Sequence, residues 1–130
     1  MIWTFLNGAF LGLTLCFIPV RDVSENGAKP VVEWLTPREY DFGTIKRDHP
    51  VSFVFRFKNI ANEAITLQTA RTTCGCTAAN WTESSIATGA TGEVRIEYDA
   101  FQTGDFSKKI KVFFDKQRKA EVLKIKGSVE

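Results

Sequence analysis

Short segments in which apolar and polar residues alternate restrict the fold of this chain more than any other feature. The clearest segment is 51–59, which reads Val-Ser-Phe-Val-Phe-Arg-Phe-Lys-Asn and places its apolar first, third, fifth and seventh residues on one face. A period of two is that of a half-buried β-strand, because successive side chains point to opposite faces of a sheet. The segment therefore predicts a strand with one face in a hydrophobic core.

The same alternation recurs along the chain and predicts an all-β fold. Residues that favour turns, such as Gly89 and Gly104, lie between the alternating segments. No segment after Lys29 has the apolar stripe of an amphipathic helix. Strands at this spacing predict an immunoglobulin-like antiparallel β-sandwich of about seven strands. Besides 51–59, the predicted strands are 31–34 and 40–45 (one strand or two, split at Pro37), 65–68, 94–98, 110–114 and 123–126.

Size and charge limit the domain count and the class of partner. A chain of 130 residues with a formal net charge of +2 fits one domain and gives little basis for a nucleic-acid partner. The one local bias is a late excess of basic residues. We interpret it as solvated strand faces whose lysines discourage edge-to-edge pairing, in preference to a patch for an anionic ligand. The residues concerned are Lys108, Lys109, Lys111, Lys116, Arg118, Lys119, Lys124 and Lys126, against Asp105, Asp115, Glu121 and Glu130.

The N-terminus has the pattern of an export signal or membrane anchor. Residues 2–20 are almost wholly apolar, and their length lies between a signal-peptide core and a membrane-spanning helix of about 20 apolar residues. We expect a signal peptide or anchor helix at 1–22, a polar linker at 23–30 and the sandwich domain at 31–130. Cys16 follows Leu13-Thr14-Leu15 and is the candidate for lipidation. The protein is thus expected in the periplasm or at the cell surface, with this segment as its only membrane contact.

Two thiols separated by one glycine, Cys74 and Cys76, form the sharpest chemical motif. In a regular strand their α-carbons lie near the upper limit for a disulfide, whereas a kink at Gly75 brings them within range. The pair is therefore a candidate disulfide or redox pair. Such a bridge closes a very short loop, and the entropy model gives it only about 1.6 kcal/mol of stabilisation.

Other roles for the pair stay open. Two thiolates can hold Cu(I), whereas a closed zinc site needs four ligands and the chain adds only His49. A nucleophilic cysteine activated by Arg71 or His49 requires a base, an orienting group and oxyanion donors, and the sequence shows no such set. A structural role, in which two small side chains shape the end of a strand, is the interpretation we favour. We expect no catalytic residue, metal or cofactor, with Cu(I) at Cys74 and Cys76 as the alternative.

Several short motifs occur in a recognisable order. They are Phe42-Gly43-x-Ile45, Phe55-x-Phe57-x-Asn59, Cys74-Gly75-Cys76-Thr77, Gly89-x-x-Gly92 before a strand ending in Tyr98, and Phe106-x-Lys108-x-Ile110 with Gly127. In this order they resemble the bacterial domain-of-unknown-function 1573 family, which is common in exported proteins and whose fold is similar to ASH and PapD-like sandwiches. The resemblance covers nearly everything after Lys29. It implies an immunoglobulin-like sandwich with no established catalytic activity.

These observations together predict a binding protein. We expect an exported, non-enzymatic module for protein–protein interaction or assembly in the bacterial cell envelope, whose partner is another protein. The alternative is a thiol redox or Cu(I)-binding module that uses Cys74 and Cys76 directly. A scaffold keeps its activity when both cysteines become serine, and a redox or copper protein loses it.

Overall fold

Two four-stranded sheets form the part of the chain that the computed structural model describes, residues 29–130. Its strands are β1 (Val32–Trp34), β2 (Glu39–Ile45), β3 (Val51–Asn59), β4 (Leu67–Thr72), β5 (Thr77–Trp81), β6 (Thr91–Tyr98), β7 (Gly104–Phe114) and β8 (Glu121–Val129). The first sheet has the order β1-β3-β6-β5 and the second the order β2-β8-β7-β4. The predicted all-β sandwich is confirmed, and none of the described residues is helical.

The core lies between the sheets and follows the alternation that the sequence shows. In β6, Val94, Ile96 and Tyr98 are buried while the residues between them are exposed. Phe57 of β3 is fully buried, and its ring meets that of Phe114 from β7 edge to face with 5.1 Å between the centroids. Each such side chain contributes roughly 1.5–3 kcal/mol when taken out of water, so the inner faces hold the two sheets together.

The first predicted strand divides into two strands that join different sheets. β1 pairs antiparallel with β3, whereas β2 pairs in parallel with β8. Pro37 lies between them and has no N–H to donate to a ladder, so the chain leaves the first sheet there. The expectation of a wholly antiparallel sandwich is therefore wrong for this one pair.

Two further differences from the sequence prediction lie in the middle of the chain. The strand expected at 65–68 begins at Leu67, and Ile65 makes only an isolated bridge to Ile86. β5 was not predicted, because Thr-Ala-Ala-Asn-Trp has no alternation of large apolar residues. Its inner side is instead formed by Thr77, Ala79 and Trp81, which are buried or half-buried. The described residues thus contain eight strands where about seven were expected.

A buried asparagine fixes the end of the sandwich at which β3 finishes. Asn59 is 1% exposed, and its side-chain amide donates to the carbonyl oxygens of Glu63 and Ile86, both at 2.9 Å. Its side-chain oxygen accepts a hydrogen bond from the N–H of Ala61 at 2.8 Å. A buried amide is tolerated when its polar atoms are paired, so Asn59 joins two connections that otherwise have little regular structure.

The N-terminal predictions lie outside the described residues. These are the signal or anchor segment at 1–22, all but the end of the linker at 23–30, and the lipidation candidate Cys16. Within residues 29–130, no helix has the length and hydropathy to cross a membrane.

Candidate functional site

The Cys-Gly-Cys motif lies in the connection that carries the chain from one sheet to the other. β4 ends at Thr72 on the edge of the second sheet, and β5 begins at Thr77 on the edge of the first. Between them, the sulfur atoms of Cys74 and Cys76 are joined in a disulfide, with 5.2 Å between the α-carbons. The motif therefore connects two edge strands on the same side of the sandwich. We call residues 73–76 the cysteine loop.

Hydrogen bonds from both sheets hold the cysteine loop. The Thr72 hydroxyl lies 3.1 Å from the carbonyl oxygen of Cys74 and 3.3 Å from that of Thr77, and it can donate its single proton to either of them. The N–H of Asp99 donates to the carbonyl oxygen of Cys76 at 3.0 Å. Cys76 is half-buried against the core, while Gly75 faces solvent. The loop is thus a well-fixed turn with one exposed tip.

Gly75 is not required by the backbone of this turn. Its φ is not in the left-handed region, and a Cβ built on it meets no atom within 4 Å. The expected kink at Gly75 is present, since the α-carbons of the two cysteines lie 5.2 Å apart, but the expectation that glycine makes the bond possible is wrong. The turn and the hydrogen bond from the N–H of Thr77 to the carbonyl oxygen of Cys74, at 3.3 Å, are compatible with any small residue at the tip.

The other predicted site residues do not assemble around the thiols. The Arg71 guanidinium lies over the ring of Phe113, 5.5 Å from its centroid. His49 is exposed in the connection between β2 and β3. Among residues 29–130, no group of three or more His, Cys, Asp or Glu side chains is placed to hold a metal ion. Of the predicted residues that lie within 29–130, the structure brings together only Cys74 and Cys76.

β5 is a candidate binding feature that the sequence did not point to. Of the four edge strands, β1 has only three residues, and β2 and β4 each contain a register irregularity and charged residues. Short length, bulges and charge are devices that prevent an edge from pairing with another chain. β5 has neither a charge nor a proline, and its register with β6 is regular. It is the unprotected edge of the described sandwich.

The hydrogen-bond pattern shows which backbone groups of β5 are open. The N–H of Asp99 donates to the carbonyl oxygen of Cys76, and the N–H of Thr82 donates to that of Glu93. Cys76 and Asp99 therefore form one hydrogen-bonded pair of the ladder, and Thr82 and Glu93 form another. Such pairs alternate along an antiparallel ladder. Ala78 and Asn80 consequently bond to β6, whereas the N–H and carbonyl groups of Ala79 and Trp81 point away from it.

Comparison with solved structures shows the fold. The chain is similar to a protein of unknown function from Porphyromonas gingivalis, with a TM-score of 0.63 and 16% identity over 82% of this chain and 51% of that one. It thus spans about half the length of that protein. It is also similar to an ASH/PapD-like domain of human CEP192, with a TM-score of 0.67 and 11% identity over 85% of this chain and 95% of that one.

A third similar structure is the chaperone YadV, with a TM-score of 0.54 and 13% identity over 78% of this chain and 53% of that one. At such identities these likenesses show the immunoglobulin-like, PapD-like fold alone. A search of curated protein sequences found no match. A family model described as Protein of unknown function (DUF1573) matches residues 34–129. The motifs from Phe42 to Gly127 lie within that match, and the chain belongs to this family.

Proposed function

We propose that the protein is a non-catalytic interaction module of the cell envelope that binds an extended segment of a partner protein along β5. The observation that carries this proposal is the uncharged, regular edge of β5, with backbone groups of Ala79 and Trp81 open on its outer side. An added strand makes main-chain hydrogen bonds to such an edge, and the exposed side chains beside it select the sequence. Ala78 and Asn80 are those exposed side chains.

The cysteine loop has a supporting role in this proposal. It leads directly into β5, and hydrogen bonds anchor it to Thr72 of β4 and to Asp99, which follows β6. A fixed strand end lowers the entropy that is lost when a partner strand docks. Disulfides persist in oxidising compartments, so the Cys74–Cys76 bond supports a location in the periplasm or at the cell surface, in keeping with the apolar N-terminus.

A photoreactive amino acid at position 78 tests the proposal in cells of the source organism. The residue is exposed beside the open edge, and we expect it to form one discrete adduct with a partner protein. An Ala79→Pro background removes the open N–H without removing a bond to β6, since proline is tolerated on an edge where its nitrogen faces solvent. The adduct should disappear in that background and remain in the matched Ala79→Ser background.

Two results would count against the docking edge. One is an adduct of equal yield with Ala79→Pro and with Ala79→Ser. The other is the same adduct from a photoreactive residue at Glu33, an exposed position on β1 at the opposite edge of the sheet. Thermal unfolding of each variant separates loss of docking from loss of fold.

The alternative function is thiol redox or Cu(I) chemistry at the cysteine loop. The exposed tip at Gly75 and the half-buried sulfurs favour it, because small reductants can reach the bond. Replacing both cysteines by serine distinguishes the two functions. The interaction module keeps its adduct at position 78, whereas a redox or copper module loses its activity altogether.

A further inference from the structure

Basic residues face one another across the central strands of the second sheet. On its solvent side Lys109 of β7 lies directly opposite Lys124 of β8, and Arg71 of β4 lies directly opposite Lys111 of β7. Their neighbours Ile110, Val112, Leu123 and Ile125 are buried, so the alternation turns the basic residues outward. With Lys126, these five form what we call the cationic band: Arg71, Lys109, Lys111, Lys124 and Lys126.

The cationic band is not a device for protecting sheet edges. β7 and β8 are the two inner strands of the second sheet, so four of the five residues lie away from any edge. Our interpretation that these lysines discourage edge-to-edge pairing is therefore wrong for them. Like charges directly opposite on neighbouring strands destabilise a sheet. Glu39 and Asp41 of β2 lie opposite Lys124 and Lys126 on their other side, whereas Lys109 and Lys111 have only basic or apolar residues opposite them.

Only part of this charge is neutralised within the described residues. Lys126 pairs with Glu39 at 2.7 Å, and the hydrogen bond between them lowers the pKa of the Glu39 carboxyl and raises that of Lys126. Lys124 also lies opposite Glu39 in the register of β2 and β8, and Arg71 lies over the ring of Phe113. Neither Lys109 nor Lys111 has a partner among the ion pairs of residues 29–130, so their charge is left to water or to an external anion.

We propose that the cationic band binds an extended acidic segment of a polypeptide, on a surface separate from the β5 edge. Lys109 and Lys111 are two residues apart on β7, and Lys124 and Lys126 are two apart on β8. The positive charges on each of these two strands are therefore about 6–7 Å apart. An extended segment with a carboxylate at every second residue has the same repeat, so a segment that lies along β7 or β8 places one carboxylate beside each cation of that strand.

The surroundings of the band favour a peptide over an anionic membrane. A shallow groove of about 470 Å³ follows the same strands, and its lining includes the carboxylates of Asp41 and Asp105 beside Lys124 and Lys126. These acidic groups repel a uniformly negative surface, whereas a peptide can place its charges in register with the cations. Insertion into a membrane would also need exposed apolar side chains beside the cations. Val122 of β8, opposite Lys111, is the one exposed large apolar residue of β7 and β8, so the band has little to insert into lipid.

Two synthetic peptides test the match of spacing. One has ten residues of alternating Glu and Thr, and the other has the same composition with all Glu in one block. Binding of each labelled peptide to the full chain in neutral detergent is measured by fluorescence anisotropy. We expect the alternating peptide to bind more tightly than the block peptide, and equal affinities would overturn the proposed register.

Two matched double variants test the band itself. Lys109→Gln with Lys124→Gln removes a facing pair, and Lys116→Gln with Lys119→Gln removes the same charge from the exposed β7–β8 connection. The first should weaken binding of the alternating peptide about tenfold, as two exposed ion pairs would. The second should change it less than about twofold. Equal losses would show charge attraction without a site and would overturn the proposal.

Two more measurements, the stability of the free protein and its binding to anionic vesicles, test the charge repulsion and distinguish a peptide from a membrane as the partner. Lys109→Gln alone removes the Lys109–Lys124 repulsion and leaves Lys124 opposite Glu39, so it should raise the denaturation midpoint of the free protein, while the loop variant leaves it unchanged. No rise would overturn the argument from register. Vesicles containing phosphatidylglycerol supply the other source of anions. If Lys109→Gln with Lys124→Gln weakens vesicle binding but not peptide binding, the surface is a membrane contact and the peptide proposal is wrong.

Discussion

The solvent faces of the two sheets carry similar residue types in opposite arrangements. On the first sheet Arg56 lies opposite Glu93 with 3.3 Å between charged atoms, and Glu33 lies opposite Lys58. On the second sheet Lys109 and Lys124 face each other, although Lys124 and Lys126 also lie opposite Glu39 and Asp41 of β2. Opposite charges across strands stabilise a sheet and like charges destabilise it. The pairs of the first face therefore stabilise the fold, while the second face combines such pairs beside β2 with a like-charge pair that an anionic partner would relieve.

A methyl group added at a crowded glycine on the inner face should destabilise either sheet to a similar extent. This loss of unfolding free energy is the largest effect we expect. A Cβ added at Gly92 of the first sheet would lie 2.7 Å from Ile86, and one added at Gly127 of the second would lie 2.8 Å from Phe106. Gly92→Ala and Gly127→Ala should each lower the free energy of unfolding by about 1–3 kcal/mol through overpacking. Urea denaturation measures both.

Gly75→Ala is the matched control for these variants, because the same added methyl meets open space at an ordinary φ. Its stability should stay within about 0.5 kcal/mol of the parent protein. A large loss at Gly75 would show that the cysteine loop depends on glycine after all. No loss at Gly92 or Gly127 would show that the sheets are less closely packed than described.

The cysteine loop, which joins the two sheets, should give the next largest effect. Replacing Cys74 and Cys76 by serine should cost about 1.6 kcal/mol on the entropy model, and reductant should lower the stability of the parent by the same amount. Binding of the alternating Glu-Thr peptide by the second face should not change. A parent protein whose denaturation midpoint ignores reductant would contradict a stabilising bridge.

Charge reversal should move the two solvent faces in opposite directions. Arg56→Glu creates a like-charge pair with Glu93 and should destabilise the protein, whereas Lys109→Glu creates an opposite pair with Lys124 and should stabilise it. Each change is expected to be roughly 0.2–1 kcal/mol. Parallel urea denaturations at low salt measure both, and added salt should shrink both. Changes of the same sign would remove the contrast between the faces.

The smallest effect concerns pH and the one neutralised cation of the band. The hydrogen bond from Lys126, and then its charge, lower the pKa of Glu39 in the folded state. A lowered folded pKa gives stability that is present above the unfolded pKa and is lost as the pH falls through the folded pKa. In acid denaturation profiles, the parent should therefore be slightly more stable than Glu39→Gln above the unfolded pKa, and the two stabilities should converge as the pH falls through the folded pKa. Parallel profiles throughout would contradict the pair.

The sequence predicts the strands in which large apolar side chains alternate with polar ones. It does not predict the features that depend on which strands pair with each other. β3 was predicted because four apolar residues of 51–59 share a face. β5 was missed because its inner side is formed by Thr77, Ala79 and Trp81, a mixture with no clear period. The parallel pairing of β2 with β8 was also missed, since a proline marks a break without saying which sheet follows.

The candidate sites differ in the same way. Cys74 and Cys76 were predicted as a pair because they are neighbours in sequence. Lys109 and Lys124 meet only through the register of β7 with β8. Local composition therefore suggested ordinary solvated lysines, and only the three-dimensional pairing distinguishes them from the lysines of the β7–β8 connection.

Two double-mutant cycles test the contrast between the solvent faces most directly. One cycle combines Lys109→Gln with Lys124→Gln, and the other combines Arg56→Gln with Glu93→Gln. Each gives the interaction energy of its pair from four urea denaturations, free of single-site effects. We expect a repulsive energy for Lys109 with Lys124 and an attractive one for Arg56 with Glu93. Energies of the same sign, or none between the two lysines, would contradict this expectation.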